Sequence, residues 1–280
     1  MKEYEIISEL KKYKEHLILD EKSEATISKY LHDVSVFLTC LGDQEISKET
    51  TIRFKNSLVD EGYSIRSVNS MIASLNNYLE FVGESDCRVK SIKTQRQLFC
   101  PEERELTYNE YERLVTTAKR LKNERLSLLI QTICGTGIRV SELKFITVEA
   151  AMNGEAHVRC KAKDRKVFIV KKLRKLLIAF AKSHGIKSGS IFITKCGNPM
   201  NRSNIWREMK KLCQMARVSP DKVFPHNLRH LFARVFYNIE KDIAKLADIL
   251  GHSSIDTTRI YIVSTGFEHR KRMESMKLII

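Results

Sequence analysis

The stretch that decides the fold is PHNLRHLFARVFYNIEKDIAKLADILGHSSIDTTRIY, residues 225 to 261. His226, Arg229 and His230 stand at i, i+3 and i+4, so a helix beginning at Pro225 projects all three from one face. The apolar positions Ile243, Leu246, Ala247, Ile249 and Leu250 predict a second helix, which stops at Gly251 as helices commonly do. His252 follows that stop at once, and Tyr261 comes nine residues later. Two helices thus bring a tyrosine, an arginine and these histidines within reach of one another.

That set suits attack on a phosphodiester. The non-bridging oxygens of a phosphate diester repel nucleophiles, and their charge grows in the transition state. A guanidinium fork, always charged, binds both oxygens at once. A tyrosine can serve as nucleophile and hold the phosphate covalently, although a phenol with an ordinary pKa of about 10 needs cations or a base beside it. Histidine and lysine supply proton transfer and further phosphate contacts.

HNLRH, LADILGHSS and TTRIY resemble the signature of the tyrosine recombinases, the phage-integrase family. The family adds an upstream arginine in a G-[LI]-R-x-S-E-L setting, matched by GTGIRVSEL at Arg139. It also adds a lysine on a hairpin tip, usually in G-K-G-x-K-x-R, where this chain reads CKAKDRK. That places the lysine at Lys161, with Lys163 a competing candidate. The likeness spans roughly residues 105–265. It implies Tyr261 as nucleophile, Arg139 and Arg229 as phosphate clamp, Lys161 as general acid, His226 as general base or phosphate donor and His252 as a further phosphate hydrogen bond. Glu142 and His230 are expected to orient these groups. It implies no cofactor, either metal or nucleotide, and as partner a double-stranded DNA with a specific recombination site, on which the enzyme forms a tetramer.

Charge supports a polyanionic partner. The net charge is +15, but residues 1–100 carry 14 Lys+Arg against 16 Asp+Glu, whereas residues 101–280 carry 35 against 18. The excess lies with the motifs, as expected of a protein that displaces counterions from DNA. No run approaches the length of a membrane span, and MKEYEIISELKKY lacks the apolar block of a signal peptide, so a cytoplasmic location is expected. Seven cysteines without a C-x-x-C pair point to reduced thiols rather than to a disulfide framework or zinc ribbon.

Four apolar-periodic segments precede Gly83: about 5–19, one following Thr26, one from about Ser47, and one carrying Val68, Met71, Ile72, Leu75, Tyr78, Leu79 and Val82. They predict a compact helical domain over residues 1–84, which the resemblance makes a SAM-like core-binding domain. Lys48, Arg53, Lys55 and Arg66 are its candidate DNA contacts. Residues 85–104 read as a basic linker with Arg88, Lys90, Lys93 and Arg96. Residues 105–280 form the expected catalytic domain. It opens on the capping box Thr107-Tyr108-Asn109-Glu110 and contains strands AHVRC and RKVFIV around the turn KAKD. A brief IFIT strand follows, then a helix over 204–216 with Arg207, Lys210 and Lys211 on its basic face. The amphipathic tail HRKRMESMKLII is expected to dock on a neighbouring protomer. The fold expected is therefore mainly α with a small β-hairpin, a helical N-terminal domain followed by a mixed α/β catalytic domain.

Three other readings compete. His226 and His230 have the spacing of zinc ligands in H-E-x-x-H, yet Asn, Leu and Arg lie between them and no glutamate base is present. IAKLADILGHSSIDTTRIYIV can be read as the helix-turn-helix of a non-catalytic regulator, which leaves Arg139 and HNLRH without a role. A type IB topoisomerase shares the chemistry but would relax supercoils instead of exchanging strands.

Overall fold

The computed structural model describes residues 3–93, 105–160, 163–262 and 274–276. The chain divides into two compact units, residues 1–96 and 97–280.

The first unit is built from α1 (Glu3–Leu19), α2 (Glu24–Leu41), α3 (Lys48–Asp60) and α4 (Ile65–Phe81). Serines set three of the starts. Ser23, Ser47 and Ser64 each accept a hydrogen bond from a first-turn amide that has no partner within its helix. The apolar stripes meet in one core that includes Tyr13, Leu17, Phe37, Leu58, Leu75 and Leu79. At about 1.5–3 kcal/mol for each large side chain buried, this core is what holds four short helices together. Its buried polar groups are paired: the Tyr13 hydroxyl donates to Asn77 and the Ser74 hydroxyl to Asp33, both at 2.6 Å.

Residues 85–93, expected in the linker, instead pack on this unit. A 3₁₀ turn over Ser85–Cys87 leads to Val89, which is buried in the core. Two asparagines of α4 grip the extended backbone that follows. Asn76 accepts from the Val89 amide and donates to the Val89 carbonyl, both at 2.9 Å, and Asn69 does the same for Ile92 at 2.8 and 2.9 Å. The polar composition that reads as a solvated tether hides these side-chain pairings. Residues 94–104 lie outside those described.

The second unit contains α5 (Tyr108–Arg120), α6 (Glu124–Thr136), a 3₁₀ segment (Val140–Phe145), α7 (Val148–Asn153), β1 (Glu155–Cys160), β2 (Lys163–Phe168), α8 (Lys171–Ser183), α9 (Arg202–Ala216), α10 (Pro225–Glu240), α11 (Ile243–Leu250) and α12 (Ile255–Ile262). Helix α6 is apolar nearly all round, with Leu126, Leu128, Leu129, Ile130 and Ile133 buried, and packs against α5, α8 and α10. β1 and β2 form an antiparallel hairpin in which Cys160 pairs with Lys163 at the tip and Val158 with Arg165 further down. The expected IFIT strand is not formed. Residues 191–194 make a loop closed by an isolated bridge between Ile193 and Pro199, because no neighbouring strand offers a ladder. Of the tail, only residues 274–276 are described, and the docking segment otherwise lies outside the described residues.

Candidate active site

Three turns deliver the site. Helix α6 ends at Gly137 in the left-handed conformation (φ +62°), and a Cβ there would sit 2.5 Å from the Phe232 ring. Glycine at this close approach lets the chain reverse and present Arg139 at the head of the 3₁₀ segment. Helix α11 ends at Gly251, again left-handed (φ +64°), and His252 follows. Helix α10 begins with Pro225 in its first turn, where the missing amide costs nothing. His226, Arg229 and His230 then point along one face.

Arg229 is the centre of the arrangement. Only 1% of it is exposed, and its guanidinium donates to the carbonyls of Gly137 and Leu250 (2.6 Å for the latter) and to His252 Nε2 at 2.9 Å. Two segments distant in sequence, the turn at Gly137 and the turn at Leu250–His252, are thereby tied to one planar group on α10. Burial and then the nearby Arg139 push its pKa down to about 10, which leaves it cationic at neutral pH. Because Arg229 donates to Nε2, His252 is an acceptor there. Its Nδ1 must carry the proton, donated to Thr258 Oγ1 at 2.8 Å.

Glu142, also 1% exposed, organises the second cation. Its Oε1 accepts from Arg139 Nη1 at 2.9 Å, while Oε2 accepts from the Arg139 backbone amide at 2.9 Å and from Arg165 Nη2 at 2.6 Å. Burial alone would raise the carboxyl, but the Arg139 amide and the Arg165 charge overcome it and hold the group below its ordinary range. Arg139 also donates to the Gly251 carbonyl at 3.2 Å. About a third of its side chain remains exposed.

Tyr261, on α12, is 7% exposed and lies among these groups. Its ring stacks on His230 with centroids 4.1 Å apart and planes at 23°. The rings of His252 and His226 are 5.0 and 5.3 Å away, and the Arg229 guanidinium carbon lies 5.9 Å from the ring centroid. Ala233, Leu246 and Leu250 pack beneath the ring. The histidines are held neutral. Burial, then His226, Arg234, Arg229 and His252, lowers His230 to about 3, and burial, then Arg229, Arg139, Arg165 and His226, lowers His252 to about 4. His226 is shifted the same way, by burial of its packed side and then by Arg229, Arg139 and Arg202, although its outer edge is open to solvent.

The structure therefore gathers seven expected residues, Arg139, Glu142, His226, Arg229, His230, His252 and Tyr261. Lys161 lies outside the described residues, and Lys163 is described only as a β2 position. Arg165 and Thr258 were not among the expected site residues. Arg165 closes a K-x-R run, Lys163-Asp164-Arg165, of the kind that ends the hairpin pattern, a signal available in CKAKDRK; nothing in the sequence marks Thr258 apart from its place in TTRIY. Among the described residues no cluster of three or more His, Cys, Asp or Glu is placed to hold a metal ion, so the H-x-x-x-H spacing of α10 has no further ligand.

The outlying cations divide by environment. Lys48 donates to the Asp86 and Arg88 carbonyls, Arg53 to Gln44, and Arg88 pairs with Glu80 at 3.6 Å. Lys210 donates to the Pro220 carbonyl and sits over the Trp206 ring. Lys55 is half-buried, whereas Arg66, Lys90, Lys93, Arg207 and Lys211 are exposed, and Arg96 lies outside the described residues.

Comparison with known proteins decides the family. The Phage integrase family profile matches residues 104–266, and the profile of the phage integrase N-terminal SAM-like domain matches residues 10–84. The chain belongs to the phage integrase family. This recombinase is 32% identical to "Tyrosine recombinase XerA" of Thermococcus kodakarensis over 98% of its own length and 96% of the relative's. With the protein of that name from Pyrococcus horikoshii it shares 30% over 96% and 94%. Among solved structures it resembles XerA recombinase (TM-score 0.55, 25% identity, covering 98% of this chain and all of the other). It also resembles a lambda integrase dimer bound to a COC′ core site (TM-score 0.72, 18% identity, 91% and 94% covered), a likeness of fold. It is mostly helical with one small antiparallel sheet, and it is a tyrosine recombinase, an enzyme of DNA strand breakage and rejoining.

Proposed function

We propose that this recombinase cuts and rejoins DNA at a specific site through a phosphotyrosine formed on Tyr261. The observation that carries the reading is the lodging of the Tyr261 ring, stacked on His230, in the pocket that Arg229 holds together. The Tyr261 oxygen attacks the scissile phosphorus, forming the O–P bond as the bond from phosphorus to the 5′-oxygen breaks. His226 receives the phenolic proton, a task open to a neutral imidazole and closed to a charged one. Arg139 and Arg229 bind the non-bridging oxygens, and the prearranged geometry of half-buried Arg139 and buried Arg229 stabilises the charge that builds there. His252, whose Nε2 accepts from Arg229, keeps that guanidinium oriented for the phosphate, and Lys161, with Lys163 as the alternative, protonates the departing 5′-oxygen. Glu142 and His230 keep the clamp and the tyrosine in place. The 5′-hydroxyl of a partner strand then attacks the phosphotyrosine, and one diester replaces another without an external energy source.

The N-terminal helical unit grips the duplex through its exposed cations, among them Arg66, Lys90 and Lys93, while Arg207 and Lys211 contact backbone from the catalytic unit. Exchange between two duplexes uses four active sites, and the lambda integrase tetramer bound to a Holliday junction, a neighbour by fold, is consistent with that assembly. The XerH recombinase bound to a palindromic difH substrate is a second such neighbour. No helix among the described residues is long and apolar enough to cross a membrane, in keeping with action on DNA in the cytoplasm.

The test is selection of the bound sequence from a random duplex library, followed by cleavage of the selected duplex. A single enriched motif, cut at one phosphate by the wild type and uncut by Arg139→Ala, supports the reading. Enrichment without cleavage would show a binding protein instead.

A further inference from the structure

Arg165 lies on β2, outside the set of residues to which the mechanism gives a chemical task. Its guanidinium is nonetheless committed to the site from two sides. Nη2 donates to Glu142 Oε2 at 2.6 Å, on the same carboxylate that holds Arg139, and Nη1 donates to the Ile249 carbonyl at 2.7 Å, in the last turn before Gly251 and His252. The side chain is 12% exposed. Its stem runs against the backbone of that turn so closely that a Cβ on Gly251 would stand 2.4 Å from Arg165 Cδ. Arg139 completes the circuit by donating to the Gly251 carbonyl. One carboxylate, two guanidiniums and two neighbouring carbonyls thus form a closed loop joining the hairpin, the 3₁₀ segment and the α11 turn.

An exposed surface pair would carry little weight. This one is buried and shared, with one bond to the carboxylate and one to a backbone carbonyl, and the same carboxylate holds the Arg139 guanidinium. Without Arg165, Glu142 still has Arg139, so no carboxylate is stranded, but Oε2 loses a charged partner and the carboxylate can rotate toward Arg139. A guanidinium displaced by about 1 Å from the phosphate it must bind costs on the order of 100-fold in rate. We propose that Arg165 is a positioning residue for Arg139, locking its orientation through Glu142 and anchoring that lock to the Gly251–His252 turn. This rests on the reading of Arg139 as a phosphate contact.

The test is a double-mutant cycle in single-turnover cleavage of a nicked duplex by the full chain, with Arg165→Met, Arg139→Ala and the combination, and with Arg165→Lys as the variant that keeps the charge but loses the fork. Each is run on DNA with an ordinary scissile phosphate and with a methylphosphonate, which lacks the charge the clamp answers. On phosphate, Arg165→Met should cleave about 10–100-fold slower with DNA affinity and melting temperature little changed, Arg165→Lys should recover part of the loss, and the double variant should be no slower than Arg139→Ala. On methylphosphonate the deficits of Arg139→Ala and Arg165→Met should both shrink. Deficits that multiply in the double variant, or an Arg165→Met deficit equal on both substrates while that of Arg139→Ala shrinks, would overturn the positioning role alone. If Arg139→Ala is equally slow on both substrates, the phosphate-clamp reading falls and the proposal with it. If Arg165→Met does not fold, the same criteria apply to Arg165→Lys.

Discussion

Replacing Glu142 by Gln changes one atom in a site that is 1% exposed and removes the charge shared by two guanidiniums. The amide keeps one oxygen. Turned toward the Arg139 amide and Arg165, it preserves two bonds and sets an NH₂ against Arg139 Nη1; turned the other way, it preserves one bond and opposes two donors. The first orientation should prevail, so Arg139 is the residue released. Loss of a buried pair by removal of one charge costs about 3–5 kcal/mol, a large part of the roughly 5–15 kcal/mol by which such domains are stable. Trp206, the chain's single tryptophan, lies in α9 of the catalytic unit, so its fluorescence during urea unfolding reports that unit without signal from the N-terminal helices. The same preparation should cleave nicked DNA about 10–100-fold slower than wild type. A shift below about 1 kcal/mol together with unchanged cleavage would refute the argument that this carboxylate sets Arg139, because the bonds it makes would then be worth no more than exposed ones.

The histidines give a pH dependence whose sign is fixed. The unfolded chain takes up protons below about pH 6.5, whereas folded His252 resists until about 4 and His230 until about 3, so stability should fall as pH drops through that window. Melting temperature against pH should show the decline, and His230→Phe, which keeps the stack on Tyr261, should make it shallower. Thr258→Val leaves the buried Nδ1–H of His252 without its acceptor while Arg229 still holds Nε2 unprotonated; imidazole nitrogen shifts should keep the Nδ1–H form, with about 1–3 kcal/mol lost in stability. Gly137→Ala drives a Cβ into Phe232 and Leu250 at a positive φ and should cost about 2–4 kcal/mol by urea unfolding, with cleavage reduced because the Gly137 carbonyl holds Arg229.

Much of this was legible from spacing. The i, i+3, i+4 pattern placed His226, Arg229 and His230 on one face, and the glycine stop after Leu250 delivered His252 where Arg229 could reach it. Periodicity sees faces and ends; it does not see which group meets which across the fold. Glu142 and Arg139 pair locally and could be anticipated, whereas Arg165 reaches Glu142 from another element and Thr258 acts only through a histidine tautomer. The basic residues show the same limit. Lys48 and Lys210 read as DNA contacts by composition, yet their ammonium groups donate to backbone carbonyls of their own units. Likewise Ile193 lacks the strand that its neighbours' β propensity implies, since a strand needs a partner that sequence does not supply.

One chain supplies both the tyrosine and the arginine cage around it. This arrangement is tested most directly by mixing two inactive variants, Tyr261→Phe and Arg229→Ala, on one nicked duplex and looking for a denaturant-resistant protein–DNA adduct. With Tyr261 seated against its own Arg229, the mixture should yield no adduct beyond that of either variant alone, while wild type yields it readily. Recovery of the adduct in the mixture would mean that the tyrosine serves a neighbour's pocket, and would contradict the account.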